Sequence, residues 1–433
     1  MKLGLGLGLI PSTARRRAWL PPSLPTASGV TIYDMWLPGV GTSSRLTNLY
    51  GGDPLTVTGS LGYGSNYYPS GRPALYFDGT SYLSAPNITS ARNNVGLAII
   101  WRSTYLADYT PAWGIGGNVY SSASGANSLV GDGSSNVGGT FCPCNQDAVI
   151  VCYRTPTLRL DYPWGLGGGA GVSDNSSTLT GLGIGARDAS GGTGGNGLLG
   201  KGYFGGAFRF GGGSLGGITA FMQYFLNLVF MPKPSAAKVV VGSGDSIMSG
   251  VGLTYEQSLW GQIRTNLGSS WSGYSVAVPG KTVQNCIDND AARVDAAYLA
   301  GRTATVAILG GEPSNTINGG ASGATSVTQV ESWAAARKSA GLKAIVNTCA
   351  ARTDFDAGKE TARTDYNSAM LAKYTVATAN PYVWLSGTGS GDALVDIASI
   401  TAGALQGDGV HPDATRAAAF AVAFAYAVQS VTP

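Results

Sequence analysis

The sequence predicts a multidomain protein in which an N-terminal all-β sandwich, of the jelly-roll type, precedes a three-layer α/β domain with a mostly parallel, flavodoxin-like sheet. The chain has 433 residues, more than one ordinary domain holds. All four glutamates lie at position 256 or later. Because glutamate favours helices, its absence from the first half indicates a β-rich region there. The 66 glycines imply many turns between short strands.

The first half consists of short β-branched and aromatic runs separated by glycine, serine and asparagine. The runs at 74–77, 96–101 and 149–153 are examples, and their spacing predicts a two-sheet sandwich or jelly roll over 28–232. The run 75–83 resembles a strand pair common in concanavalin-like (laminin-G-like) jelly rolls. Domains of that kind bind glycans in some proteins and serve as spacers in others, and both interpretations stay open.

Residues 1–27 are expected to form an N-terminal arm. The short Gly-Leu run at 3–9 is followed by Arg15–Arg17 without a clear cleavage site, which favours a docking segment over the alternative of a secretion signal. No stretch of about twenty apolar residues predicts a membrane span. A formal net charge of +3, without a basic stripe, gives no indication of nucleic-acid binding.

The five cysteines are odd in number and scattered. Cys142 and Cys144 are separated by one residue, and no second pair matches them. This spacing disfavours both a zinc site and a disulfide-built scaffold. We expect neither a metal nor a cofactor.

The second half, 236–433, alternates strand and helix patterns after a proline-containing linker at 231–235. Strands are predicted at 239–241, 275–278, 304–309, 343–347 and 382–385. One helix is predicted to run from the capping pattern at Thr254 to Gly268. Further helices are predicted at 286–299, 327–340, 361–377 and 414–428. This alternation predicts a parallel sheet, whose reactive groups gather at the carboxyl ends of the strands.

Two segments of this half carry residues suited to acid–base and nucleophilic chemistry. Ser246 follows the first strand in a glycine-rich turn, where a nucleophile would be exposed above the sheet. His411 is the only histidine of the chain and comes three residues after Asp408. Histidine is the side chain whose unperturbed pKa lies nearest neutrality, which makes it the usual proton carrier in hydrolysis.

The order of these segments resembles a known family. The runs 244–246 (Gly-Asp-Ser) and 408–411 (Asp-x-x-His) are similar to the first and last blocks of the SGNH (GDSL-type) hydrolases. Gly280, after the second strand, fits the second block, and Asn315, after the third strand, fits the third. The family form Gly-x-Asn-Asp is altered around Asn315, so Asn318 is the alternative. The resemblance spans about 236–431.

The resemblance implies acyl transfer. Ser246 would attack an ester carbonyl, and His411 would take its proton and return it to the leaving alcohol. Asp408 would orient the imidazole. The oxyanion would be held by the backbone N–H groups of Ser246 and Gly280 and by the Asn315 amide.

Other polar residues have simpler interpretations. Lys281 follows Gly280 as in a phosphate-binding loop, but position 275, where that motif needs its first glycine, is serine. Asp288 and Asp290 are expected to be solvated helix residues. Asp245, next to the nucleophile, is expected to make structural hydrogen bonds.

The expected function is that of a serine esterase removing acyl groups, above all O-acetyl, from a cell-surface polysaccharide. The architecture resembles phage tail fibres and tailspikes, which implies a homotrimer on the virion tail, an arm that docks onto other tail proteins, and a host polysaccharide as partner. One alternative is a secreted bacterial carbohydrate esterase. The other is a noncatalytic, glycan-binding adhesin with a degenerate hydrolase scaffold.

Overall fold

The computed structural model describes two compact units, one within residues 31–211 and one within 235–432. The described residues are 31–42, 44–64, 72–91, 96–103, 178–186, 188–191, 199–211, 235–376 and 379–432, with short strand segments between 110 and 166. The predicted arm at 1–27 and the Cys142 and Cys144 pair lie outside them.

The first unit is an antiparallel sheet in which fourteen strands are described, beside a separate two-stranded ribbon. In chain order the strands are β1 (Thr31–Thr42), β2 (Arg45–Asn48), β3 (Leu55–Thr58), β4 (Gly62–Gly64), β5 (Ala74–Asp78), β6 (Tyr82–Ala91), β7 (Gly96–Ser103), β8 (Thr110–Ile115), β9 (Val119–Ser124), β10 (Asn127–Gly131), β11 (Asn136–Val137), β12 (Ala148–Tyr153), β13 (Asp161–Tyr162), β14 (Gly165–Leu166), β15 (Thr178–Ile184) and β16 (Lys201–Gly211). The ribbon is formed by β13 and β14.

The strand β16 organises the core of this unit. It pairs with β7 along one edge and with β5 and then β1 along the other. Three of its side chains, Phe204, Phe208 and Phe210, are fully buried together with Trp36 and Phe77. Consecutive strands β5 and β6 hydrogen-bond to different neighbours. The antiparallel β character is confirmed, whereas the jelly-roll arrangement stays a prediction.

The second unit is a mixed sheet with helices. Its strands are β17 (Lys238–Gly244), β18 (Trp271–Ser275), β19 (Ala304–Gly310), β20 (Lys343–Asn347), β21 (Tyr374–Val376), β22 (Val383–Ser386) and β23 (Ala393–Val395). Its helices are α1 (Ser246–Ser249), α2 (Leu259–Leu267), α3 (Val283–Asp295), α4 (Ser314–Asn318), α5 (Gly323–Ser339), α6 (Ala357–Leu371) and α7 (Ala414–Ser430), with 3₁₀ turns at Tyr255–Gln257 and Ile397–Ser399.

The strand order is β18-β17-β19-β20-β23-β22-β21. The first five strands run parallel, and β22 and β21 are antiparallel. The strand predicted at 382–385 is therefore an antiparallel one, and the fifth parallel strand, β23, was missed. The helix predicted at 361–377 ends at Leu371, because the chain turns into β21. The sheet is mixed, and the flavodoxin-like arrangement stays a prediction.

Local capping explains where two helices begin. Thr254 and Gln257 form the predicted capping box, which opens the 3₁₀ turn Tyr255–Gln257. The Ser258 hydroxyl accepts the Gly261 N–H at 3.1 Å, so α2 itself starts at Leu259. It ends, as predicted, at Gly268, whose φ is 72°. The Asp413 carboxylate caps α7 in the same way. In the described part of the chain, no helix is long and apolar enough to span a bilayer.

Candidate active site

Ser246 lies in the sharp turn after β17, at the carboxyl edge of the parallel strands. Gly244 has a φ of 139°, and an added Cβ there would overlap the Gly310 carbonyl oxygen on β19, so only glycine fits. The Asp245 carboxylate accepts the Ile247 N–H at 2.8 Å and caps α1. Ser246 is therefore the first residue of α1, and 8% of its surface is exposed.

His411 and Asp408 form a hydrogen-bonded pair in the loop before α7. His411 Nδ1 lies 2.5 Å from Asp408 Oδ2, and Oδ1 accepts the N–H groups of Val410 and His411 at 2.9 and 3.1 Å. Partial burial raises the pKa of Asp408, but these hydrogen bonds outweigh it and lower the pKa to about 2. An ionised carboxylate only accepts, so Nδ1 carries the proton and Nε2 of the neutral ring is free to act as a base.

The His411 loop is tied to two neighbouring segments. Gln406 Nε2 donates to the Val251 carbonyl, just after α1, at 2.9 Å. Thr353, after β20, donates its backbone N–H to the Gly409 carbonyl at 2.9 Å. These bonds fix the loop against the segment that carries the nucleophile.

The structure brings His411 to the Ser246 turn without a direct hydrogen bond between the two side chains. Burial raises the pKa of Asp245 to about 6, and the positive charge of a protonated His411 is among the interactions that oppose this rise. The bond from Gln406 to the Val251 carbonyl, five residues after Ser246, holds the His411 loop against this turn. Catalytic hydrogen bonds are often long without substrate and shorten in the complex.

Gly280 lies in the turn after β18 and has a φ of 79°. Val278 donates its N–H to the Gly244 carbonyl at 3.1 Å, which places this turn beside the one that carries Ser246. Within the described residues, the backbone N–H groups of Ser246 and Gly280 donate to no other group. Such free donors are what a developing oxyanion requires.

The position of Asp290 differs from the expectation from the sequence. It was expected to be solvated, but it is fully buried on α3 and forms an ion pair with Lys281, next to Gly280. Its other carboxylate oxygen accepts the Ser243 hydroxyl at 3.4 Å. Asp288, two residues earlier on the same helix, is exposed as expected. Asp290 therefore ties α3 to the turn of Gly280.

Asn315 lies between these two turns. Its Nδ2 donates to Asp245 Oδ2 at 3.2 Å and to the Lys281 carbonyl at 3.1 Å. The alternative residue, Asn318, accepts a hydrogen bond from Lys359 Nζ on α6 at 3.0 Å. The geometry thus places Asn315 beside the nucleophile turn. Asp245 makes hydrogen bonds to backbone and amide groups, the structural role expected for it.

A second buried carboxyl, which was not predicted from the sequence, lies beside Asp245. Glu312 is fully buried. Its Oε2 accepts the Thr316 hydroxyl at 2.9 Å, while Oε1 has no partner among the described residues. Burial, and then the charge of Asp245, raise the pKa of Glu312 well above its usual range. The charge of Asp245 therefore adds to burial in disfavouring the ionised form of Glu312.

Arg352 is the other residue that the sequence reasoning missed. It follows β20, at the same sheet edge as Ser246, and only 6% of its side chain is exposed. Its Nη1 donates to the Ser314 hydroxyl at 2.9 Å and to Asn315 Oδ1 at 3.4 Å. A charged residue just past a correctly predicted strand was the available signal.

Among the described residues, no three His, Cys, Asp or Glu side chains are placed together so that they could hold a metal ion. The chemistry that these side chains support is that of a nucleophile, a base and hydrogen-bond donors. Ser246, His411 with Asp408, Gly280 and Asn315 lie on neighbouring loops at one edge of one sheet.

Comparisons with known proteins give similarities only at the level of structure. No family model matches the sequence, and no curated protein matches it. A member of the lipolytic G-D-S-L family from Veillonella parvula has 14% identity and a TM-score of 0.35, covering 45% of this chain and 99% of that one. A carbohydrate acetylesterase from Sinorhizobium meliloti has 15% identity and a TM-score of 0.32, over 45% and 99%.

The structure of a Bacillus subtilis protein is similar over a longer part of this chain. It covers 86% of this chain and 88% of its own, with 13% identity and a TM-score of 0.33. At these identities and TM-scores the similarities do not establish an activity for this chain.

Proposed function

We propose that the second unit is a serine ester hydrolase with Ser246 as nucleophile, His411 as general base and Asp408 as the residue that orients the imidazole. The observation that carries this proposal is the His411–Asp408 pair, held by Gln406 against the segment that follows the Ser246 turn. A serine at a strand-to-helix turn with an oriented imidazole beside it is the arrangement that acyl transfer requires.

The reaction uses these groups in two steps. Ser246 Oγ attacks the ester carbonyl carbon while its proton passes to His411 Nε2, and Asp408 stabilises the imidazolium. Collapse of the tetrahedral intermediate breaks the bond to the alcohol oxygen, which takes the proton from His411. Water then attacks the acyl-serine, with His411 again as base, and releases the acid and free Ser246.

Charge on the carbonyl oxygen needs donors that are already in place. The N–H groups of Ser246 and Gly280 are free in the described structure, and the Asn315 amide lies beside them. One such donor is typically worth about 3 kcal/mol of the barrier. The donors sit at the carboxyl edge of β17, β18 and β19, so the sheet pre-organises them.

For the substrate we propose an O-acyl group, above all O-acetyl, on a cell-surface polysaccharide, and for the setting a phage tail protein of homotrimeric form. The support is the fusion of a β-rich unit, able to hold a polymer, to a hydrolase-like unit, after an N-terminal segment able to dock. Acetate release from O-acetylated capsule or O-antigen polysaccharides tests the substrate. Sedimentation tests the trimer, and a monomer without acetate release would overturn this part.

Turnover of p-nitrophenyl acetate tests the esterase itself. Ser246→Ala and His411→Ala are expected to lose activity by at least about 10³-fold. Ser430→Ala, which removes a hydroxyl bonded to the Tyr426 carbonyl at the end of α7, is the matched control. Full activity in the Ser246→Ala protein would rule out the mechanism, and no turnover in the wild type would favour the noncatalytic adhesin.

A further inference from the structure

The loop after β20 contacts both halves of the proposed machinery through two consecutive residues. Arg352 reaches Asn315, and Thr353 reaches the loop of His411 through the Gly409 carbonyl, with its N–H at 2.9 Å and its hydroxyl at 3.3 Å. Nothing in the proposed mechanism above uses this loop.

The guanidinium of Arg352 is held in a defined orientation. Its Nε and Nη2 pair with the two carboxylate oxygens of Asp354 at 2.8 and 2.7 Å, and it lies over the ring of Phe355 at 5.0 Å. This bidentate pairing is the geometry that arginine favours with a carboxylate. The remaining nitrogen, Nη1, therefore points at Ser314 and Asn315.

A guanidinium carries donors only, so the atom of Asn315 that faces it must be the oxygen. The amide nitrogen is then turned to the opposite side, where Asp245 Oδ2 and the Lys281 carbonyl accept from it. One donor on the oxygen and two acceptors on the nitrogen fix which way the amide points. Without Arg352, the amide oxygen would lose its donor, and only the two acceptors of the nitrogen would hold the orientation.

We propose that Arg352 is a positioning residue for the oxyanion site, acting by holding the Asn315 amide with its N–H groups toward the reacting carbonyl. This inference rests on the proposed esterase function. The two bonds from Asn315 Nδ2, at 3.2 and 3.1 Å, are at the long end of the N–H···O range. A developing oxyanion is a stronger acceptor than the neutral Lys281 carbonyl, so the N–H that now bonds this carbonyl can bond the oxyanion when the intermediate forms.

A double-mutant cycle tests the coupling. Asn315→Ala is expected to lower kcat by about 10²-fold, and Arg352→Met by about 10-fold or more, with KM on p-nitrophenyl acetate within about threefold of the wild type. If Arg352 acts through Asn315, Arg352→Met in the Asn315→Ala background should change kcat by less than about threefold. If the kcat of the double variant falls by the product of the two single losses, the proposal is wrong.

Two controls separate positioning from a general loss of structure. Asp354 is 40% exposed, so it stays in water when Arg352 is replaced. Arg363→Met removes an arginine paired with Glu360 on α6 and is expected to keep kcat. If Arg352→Met does not fold, Arg352→Lys takes its place in the cycle. Failure of the esterase function would appear separately, as unchanged turnover in Ser246→Ala.

Discussion

The buried carboxyl of Glu312 makes stability depend on pH in a direction that can be measured. In the folded protein its pKa lies well above the usual 4.5, because burial and the charge of Asp245 disfavour ionisation. The folded state therefore keeps a proton that the unfolded chain has already lost above about pH 4.5. Stability from this group is complete below that pH and is lost as pH rises toward the folded pKa.

Glu312→Gln has nearly the same shape and no charge to bury, and its amide oxygen can still accept from Thr316. The free energy of unfolding of the wild type should fall by up to about 1.4 kcal/mol per pH unit relative to the variant. The variant therefore gains stability relative to the wild type as the pH rises above about 4.5, up to the pH at which Glu312 of the folded protein ionises.

The assay must report on the second unit alone. Cys286 and Cys349 are free and fully buried there, so urea-dependent thiol labelling, resolved by peptide mass spectrometry, follows its unfolding. Glu360→Gln is the control. The hydrogen bond from Arg363 lowers the pKa of Glu360, so the titration of Glu360 affects stability only below this pH range. Parallel pH profiles for wild type and Glu312→Gln would refute the reasoning.

Three further outcomes are expected from changes around the site. Asp408→Asn should lower kcat by about 10²- to 10⁴-fold, since the asparagine no longer fixes the proton on Nδ1 of His411. Gly280→Ala has open space for its Cβ but keeps a left-handed φ, so it should cost about 1 kcal/mol of stability and lower kcat as the N–H shifts. Gln406→Ala, by removing the bond to Val251, should lower kcat more than it raises KM.

Steady-state kinetics and chemical denaturation check these outcomes. Retention of wild-type kcat by Asp408→Asn would contradict the orienting role of the carboxylate. An unchanged kcat in the Gly280→Ala protein would show that the Gly280 N–H does not bind the oxyanion. An effect of Gln406→Ala confined to KM would show that it contacts substrate and does not position the loop.

Strands with continuous apolar runs were predictable from the sequence. The runs at 239–241 and 304–309 form β17 and β19, which are buried on both faces as parallel strands require. The three-residue strand β23 (Ala393–Val395) was missed, and its pairing with β20 and β22 decides its conformation. Tertiary pairing likewise turned the end of a predicted helix into β21.

The sequence order of motifs pointed to Ser246 and His411, and the structure places both at one sheet edge. Asp290 and Glu312 were beyond such reasoning, because a sequence does not show which charged residues are buried. The position of Arg352 after a predicted strand was a signal, but its contact with Asn315 depends on the fold. Asp290 is buried by its pairing with Lys281, which only the fold brings about.

Covalent labelling of Ser246 tests the central claim most directly. A p-nitrophenyl alkylphosphonate should phosphonylate the wild-type protein once, on the peptide that contains Ser246, with loss of turnover in step with labelling. The Ser246→Ala protein should show no adduct, and His411→Ala should react far more slowly. An adduct on another residue, or turnover that persists after Ser246 is fully modified, would contradict the account.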